Sequence, residues 1–240
     1  MRQATLIVAR HGNTFLKDEV PTRVGVRTDL PLVESEKGER IGEYLKNNDL
    51  IPDVIYTSYL LRTIQTAIFA TKSMGLKEVP FIVSKKFNEI DYGVDENKAE
   101  LEVCYRLGFE ALNGKISGKI NDKISDKIND KNLSNQDYID KGKEIIDLWN
   151  SDAIPPKGWL VDTNKIIDDW KSFSKEIEEK YQGKNILVVT SNGIIKFLPH
   201  ITRDYKECYK KHGTKLKTGG IAIFEKDKDA SYWTCKAWGV

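Results

Sequence analysis

Apolar residues fall along this chain in two rhythms. Short runs without polar interruption alternate with stretches where apolar positions recur every three or four residues, a pattern that predicts an α/β fold. The first run, Ala4-Thr5-Leu6-Ile7-Val8-Ala9, is apolar at nearly every position, as a strand covered on both faces must be. A loop with Pro21, Gly25 and Pro31 follows, then a helix from about Ser35, read as its N-cap, to a stop at Asn47-Asn48. Asp53 to Thr57 reads as a second strand. It feeds a helix beginning near Tyr59, with Leu60, Ile64, Ala67, Ile68 and Thr71 on one stripe and Gly75 at its end. Pro80 to Ser84 reads as a third strand, leading into an acidic, aromatic loop from Phe87 to Gly93.

The pattern then changes. Residues 95 to 113 and 136 to 149 are predicted helical, the second ending before Pro155-Pro156, with Trp149 and Trp159 as packing anchors. Between them Lys115-Ile116-Ser117-Gly118 opens a four-residue repeat that continues to Asp130. Four copies of so short a unit cannot build a solenoid, and their Asn, Asp, Ser and Gly content works against a helix. A mobile surface insertion is the expectation. Ile166, Trp170, Phe173, Ile177 and Tyr181 then mark one face of a helix closed by Gly183, and Asn185 to Thr190 reads as a central strand entering the turn Ser191-Asn192-Gly193. Gly220 to Glu225 and Tyr232 to Trp238, joined by Lys226-Asp227-Lys228-Asp229, are expected to extend the sheet as an edge hairpin.

Composition narrows the function classes. At 240 residues with 40% hydrophobic content the chain can bury one sizeable core. We expect a single domain, 1–240, with a cap insertion at about 94–160 that contains the low-complexity repeat 115–131. Lys and Arg (38) nearly balance Asp and Glu (36) for a net charge of +2. Neither nucleic acid nor an anionic membrane surface is therefore an expected partner, and any anion site must be local. Cys104, Cys208 and Cys235 lack metal-ligand spacing and are read as reduced thiols, which with no leader pattern or membrane-length apolar run suggests a cytoplasmic setting.

The local chemistry sits at strand ends. Open α/β sheets bind ligands outside the carboxyl ends of their strands, and there the chain places Arg10 and His11, Arg62 at a helix start, Glu89 and Ser191. Two guanidinium groups fit an oxyanion, since their forks bind phosphate bidentately. A cation at a helix N-terminus is electrostatically mismatched unless an anion lies there, so Arg62 points the same way. A histidine among such donors can attack phosphorus, and Glu89, partly desolvated by Phe87, Ile90 and Tyr92, can protonate the leaving alkoxide.

Arg10-His11-Gly12-Asn13-Thr14 resembles the signature of the histidine phosphatase superfamily, which includes the cofactor-dependent phosphoglycerate mutases. Asp29-Leu30-Pro31-Leu32 ahead of a helix containing Gly38, Ser58 to Ala67 with Arg62 at its spacing, and Glu89 followed by Gly93 match in the same order. The resemblance implies a phosphoglycerate mutase-like three-layer sandwich, with a mostly parallel central sheet flanked by helices. It also implies that His11 is the phosphorylated nucleophile, Glu89 the proton donor and Arg10 and Arg62 the phosphate clamp, with Asn13, Thr14, Ser191 and Asn192 completing the phosphate-binding set. No cofactor and no metal are called for.

Two positions depart from the family pattern. Where relatives usually carry a second histidine followed by glycines, this chain has Ser191-Asn192-Gly193, and serine donates one neutral hydrogen bond but no imidazolium charge. Lys17 stands where many relatives have an asparagine touching phosphate, and is read first as a solvated lysine. His200, behind Pro199, and His212, among Lys210, Lys211 and Lys215, are read as structural or surface histidines. Asn97, Lys98, Glu102 and Arg106 are the cap residues placed to meet substrate, although Glu102 and Arg106 also have the spacing of a helical surface pair.

The leading expectation is a phosphatase (phosphomonoesterase) that works without metal through phospho-His11 on a small phosphorylated substrate. The unfamiliar 95–160 segment favours it over a mutase-like phosphotransferase. The alternative from another class is an impaired relative that keeps Arg10 and Arg62 to bind phosphorylated ligands or a protein partner. A scaffolding role for the repeat rests on composition alone.

Overall fold

The computed structural model describes residues 2–113 and 133–240, so the repeat at 115–131 lies outside the described residues. Its centre is a six-stranded sheet formed by β1 (Arg2–Arg10), β2 (Val54–Thr57), β3 (Phe81–Val83), β4 (Asn185–Thr190), β5 (Ile221–Asp227) and β6 (Thr234–Trp238). The spatial order is β3-β2-β4-β1-β5-β6. The first four are parallel neighbours, and β5 and β6 add the antiparallel edge hairpin that the sequence pattern predicts.

The apolar runs are explained by two covered faces. Leu6 and Val8 of β1 join Tyr56, Ile186 and Val188 in one core, with Trp170, Phe173 and Ile177 of α5 (Thr163–Lys180). The alternate residues Ile7 and Ala9 face the other way with Ile55, Leu187 and Val189. They pack on Ile41 and Leu45 of α1 (Glu36–Asn47) and on Ala67, Ala70 and Met74 of α2 (Leu61–Met74). Three layers follow from that alternation, and every residue of β4 is buried.

Two sequence expectations need correction. Ile68 of α2 is 41% exposed rather than on the buried stripe, because the helix turns Thr63, Thr66, Ala67 and Ala70 inward, where small side chains allow close packing. The helix expected from residue 95 begins later. A 3-10 turn at Gly93–Asp95 and a left-handed Asn97 (φ 59) hold the chain irregular until α3 (Glu100–Asn113).

α3 pairs with α4 (Asn135–Asp152) in a helical hairpin over the first core. Their backbones nearly touch: a Cβ on Gly108 would lie 1.8 Å from the Tyr138 oxygen, and one on Gly142 equally close to that of Cys104. Trp149 stacks edge-on to Trp159 at 5.4 Å between ring centroids, anchoring the hairpin as expected. The one-turn α6 (Asn192–Ile195) follows β4, and α7 (Tyr205–His212) precedes the edge hairpin. No helix among the described residues is long and apolar enough to cross a membrane.

Candidate active site

Parallel pairing of β1 with β4 sets Arg10 beside Thr190, so His11 and Ser191 leave the sheet side by side. The His11 amide bonds the Thr190 carbonyl at 3.0 Å, and the Thr190 hydroxyl donates to the Phe87 carbonyl at 2.7 Å. Asn88 then accepts from the Tyr59 amide at 3.0 Å. This chain of bonds delivers Glu89 to the same edge, and a crevice of about 510 Å³ opens there, lined by Arg10, His11, Asn13, Thr14, Glu89 and Tyr92.

His11 is buried, with Nδ1 2.7 Å from the Gly12 carbonyl. A carbonyl only accepts, so Nδ1 carries the proton and Nε2 keeps its lone pair. Burial, reinforced by the charges of Arg62 and Arg10, holds the imidazole well below its usual range, and it is neutral at neutral pH. A neutral imidazole with a free nitrogen is the form that acts as nucleophile.

Arg62 is fully buried, as a cation almost never is without partners. Nη1 donates to the Thr28 carbonyl at 3.0 Å, and Nη2 to those of Val24 and Gly25 at 3.2 Å, so the guanidinium clamps the loop before α1. Arg10 Nη1 donates to the Leu216 carbonyl at 2.7 Å. The Nε of each arginine is buried without a partner, and so is the Ser191 hydroxyl. Buried donors are rarely left unpaired. Of these residues Arg10 lines the crevice, whereas Arg62 and Ser191 do not; the charges of both arginines nevertheless act on His11.

Glu89 is buried, and burial raises its carboxyl above the ordinary range, even though the Ile90 and Gly193 amides and the two arginines pull it down. Its oxygens accept from Ile90 N at 2.8 Å and Gly193 N at 3.4 Å. A side chain at 193 is excluded, since a Cβ would lie 2.2 Å from Glu89 Oε1.

The remaining expected site residues are placed differently. Asn13 lines the crevice with its amide occupied, donating to Glu34 and accepting from Thr218, each at 2.6 Å. Asn192 accepts from the Leu216 amide at 2.8 Å and does not line the crevice. Thr14 and Lys17 do. None of Asn97, Lys98, Glu102 and Arg106 is among the lining residues, whose rim is instead the loop from Asn13 to Val24. Arg106 does not pair with Glu102: its Nε donates to Asp95 at 2.6 Å and its Nη1 to Glu110 at 3.0 Å. His200 stacks on Tyr205 at 4.0 Å between centroids, away from the crevice. Sequence reasoning missed Arg23 and Thr218 as lining residues, and the buried Lys196, whose Nζ donates to Thr214 at 2.8 Å.

The model of the histidine phosphatase superfamily (branch 1) matches residues 6–113, which carry Arg10, His11, Arg62 and Glu89. Over this stretch the chain is similar to the histidine phosphatase superfamily. A 2,3-bisphosphoglycerate-dependent phosphoglycerate mutase of Clavibacter michiganensis subsp. michiganensis is 32% identical over 106 residues, 44% of this chain and 42% of that protein. Phosphoglycerate mutase 1 of Saccharomyces cerevisiae is 32% identical over 108 residues, 45% of this chain and 44% of its own length. The chain thus spans less than half the length of these curated relatives. Among solved structures, a mycobacterial glucosyl-3-phosphoglycerate phosphatase superposes with a TM-score of 0.66 at 14% identity, over 100% of this chain and 99% of that one. A phosphoglycerate mutase from Bacillus anthracis str. Sterne gives 0.64 at 22% identity, over 99% and 93%. The fold shared with these structures therefore extends across the whole chain, beyond the stretch whose sequence matches.

Proposed function

We propose that this protein is a histidine phosphatase superfamily member, a phosphomonoesterase that works through a phosphohistidine, without a metal ion, on a small phosphorylated substrate. The observation that carries this reading is a neutral His11 that shares one crevice with Arg10 and Glu89 and feels the charges of Arg10 and Arg62, with unpartnered buried donors on both arginines and on Ser191. In the first step His11 Nε2 bonds to phosphorus, the ester P–O bond breaks, and the leaving oxygen takes the proton of Glu89. In the second, the Glu89 carboxylate accepts a proton from water as that oxygen bonds to phosphorus and the P–N bond breaks. Inorganic phosphate leaves, and His11 and Glu89 return to their starting forms. The arginine and serine donors hold the phosphoryl oxygens throughout, which is the main way proteins lower this barrier.

A second reading has its own observation. Ser191 supplies a neutral hydroxyl beside His11, so the site can hold phosphate with less stabilisation of the transition state than a charged donor gives. On that reading the chain binds phosphorylated ligands and turns them over slowly or not at all. A mutase-like transfer to a second hydroxyl would use the same first step, and the curated relatives named as mutases match the half that carries it. Incubation with 4-nitrophenyl phosphate in the presence of chelator, beside His11→Ala, separates these. Turnover that is lost in the variant supports the phosphatase. Phosphate binding without turnover in the parent protein overturns it.

A further inference from the structure

Cys208 on α7 and Cys235 on the edge strand β6 have no part in the phosphoryl chemistry, yet the fold brings them together. Thr202, just before α7, makes a parallel bridge with Trp233, just before β6, and the Trp233 amide donates to the Ile201 carbonyl at 3.4 Å. The Asp204 side chain accepts the Lys206 and Glu207 amides at 2.9 and 3.0 Å, which fixes where the helix starts. At the far end the His212 and Trp238 rings lie 6.4 Å apart between centroids. Helix and strand therefore run side by side, and the two cysteines fall between the fixed ends. Both line a cavity of about 230 Å³ between α7 and β6, which gives a small molecule access to them. Both are free thiols.

Their surroundings give the two sulfurs different roles. Cys235 Sγ reaches the Ala237 carbonyl at 3.5 Å, and since a carbonyl only accepts, Cys235 is the thiol that keeps its proton. The Cys235 thiol is also the hydrogen-bond partner of Cys208. That contact, with the charge of Lys211, holds the Cys208 thiol below its usual value against the opposing effects of burial and Glu207. The same contact, with burial, pushes Cys235 up. The thiolate is the attacking species in disulfide exchange, so Cys208 is the nucleophile of the pair. Cys104 is the contrast, buried in the first core with its thiol pushed up by burial. Among the described residues no group of three His, Cys, Asp or Glu is placed to hold a metal ion.

We propose that Cys208 and Cys235 form a thiol–disulfide exchange site, in which Cys208 attacks a low-molecular-weight disulfide and Cys235 resolves the product into a reversible bridge between α7 and β6. In the first step the Cys208 sulfur bonds to one sulfur of the small disulfide, whose S–S bond breaks, and the departing thiolate takes up the proton that Cys208 shed. In the second, Cys235 gives up its proton and bonds to the Cys208 sulfur, and the remaining half leaves as a thiol. Two protein thiols are oxidised and one small disulfide is reduced to two thiols. α7 runs on into the segment whose Leu216 carbonyl holds Arg10 and whose Thr218 lines the crevice, so the bridge ties the root of that segment to the sheet edge. The site is independent of the phosphatase reading.

The test incubates the reduced protein with glutathione disulfide under native conditions, then quenches with acid, alkylates and maps peptides by mass spectrometry. We expect Cys208 and Cys235 joined with loss of two hydrogens, Cys104 alkylated, and the joining reversed by dithiothreitol. In Cys235→Ala a glutathionyl group should accumulate on Cys208, about tenfold or more faster than on Cys235 in Cys208→Ala. Absence of the bridge in the folded parent protein overturns the proposal, as does a glutathionyl group that stays on Cys208 unresolved. Equal rates in the two variants also overturn it, because Cys208 would then have no advantage as nucleophile. Where a variant does not fold, the parent protein decides alone. The pair should be oxidised about tenfold or more faster than Cys104 is modified, and equal rates, the sign that reaction requires unfolding, overturn the proposal.

Discussion

His11 Nδ1 lies 2.7 Å from the carbonyl oxygen of its own neighbour, Gly12, and this contact settles which imidazole nitrogen can react. Because Nδ1 must donate there, Nε2 is the free base, and burial beside Arg62 and Arg10 keeps the ring neutral. The folded-state value is depressed, so protonation, which would disable the proposed nucleophile, occurs only below the ordinary imidazole range of about 6.5. We expect nitrogen NMR to report a neutral, Nδ1-protonated His11 at pH 6.5. The acid limb of kcat/KM for a substrate whose own phosphate ionisation is corrected should lie below that pH. A His11 that titrates at or above 6.5 contradicts this.

Glu89 shifts the other way. Its folded-state value is raised chiefly by burial, so it stays a proton donor to higher pH than an exposed carboxyl and loses that role as pH rises through the raised value. Glu89→Gln should slow hydrolysis of an alkyl phosphate about a hundredfold, within the range for general acid catalysis. Measured as kcat/KM, which ends at release of the leaving group and so excludes the second step, the loss for 4-nitrophenyl phosphate should be far smaller, since that leaving group needs no proton. Equal losses on both substrates would remove Glu89 from the acid role.

The unpartnered Ser191 hydroxyl makes opposite predictions for stability and for binding. Ser191→Ala removes a buried donor with nothing to bond. The ligand-free protein should gain about 1 kcal/mol, seen as a Tm raised by a few degrees, while inorganic phosphate should bind several-fold more weakly. A Tm that falls would mean that the hydroxyl has a partner in the folded protein.

Lys196 carries a pH dependence of its own. Burial, with repulsion from Lys215, pulls its ammonium down to about 7 against a weaker attraction from Glu89. Between pH 7 and its ordinary value the unfolded chain binds a proton that the folded protein does not, so this residue's contribution makes stability rise with pH in that window. Relative to Lys196→Met, the parent protein should gain at most about 1.4 kcal/mol per pH unit from pH 7 to 10 in denaturant titrations. Parallel stability curves for the two proteins would show that Lys196 stays charged.

Much of this arrangement is legible in the sequence because it is written in side-chain type and period. The uninterrupted run before Arg10 requires a doubly covered strand, and the same rule identifies β4 and so places Ser191 beside His11. Other features are not carried by side-chain identity. The acceptors that hold Arg10 and Arg62 are backbone carbonyls of Leu216, Thr28, Val24 and Gly25. Arg23 has no local sequence signal, because the Trp159 ring that its guanidinium faces lies 136 positions later. The Glu102–Arg106 spacing suits a helical pair, yet nearly buried Asp95 takes Arg106 with both oxygens, a stronger geometry than one exposed pair offers. Ile68 shows the same limit, since apolar period alone cannot tell a helix where its neighbours demand small residues.

The central claim is a phosphoryl group carried on His11, and acid-labile modification tests it most directly. After brief incubation with 4-nitrophenyl phosphate, alkaline quenching and peptide mass spectrometry, one phosphoryl group is expected on the peptide containing His11. It should be stable to base, lost in acid and absent from His11→Ala. Turnover at the same rate in His11→Ala, or a phosphoryl group on another residue, would contradict the account.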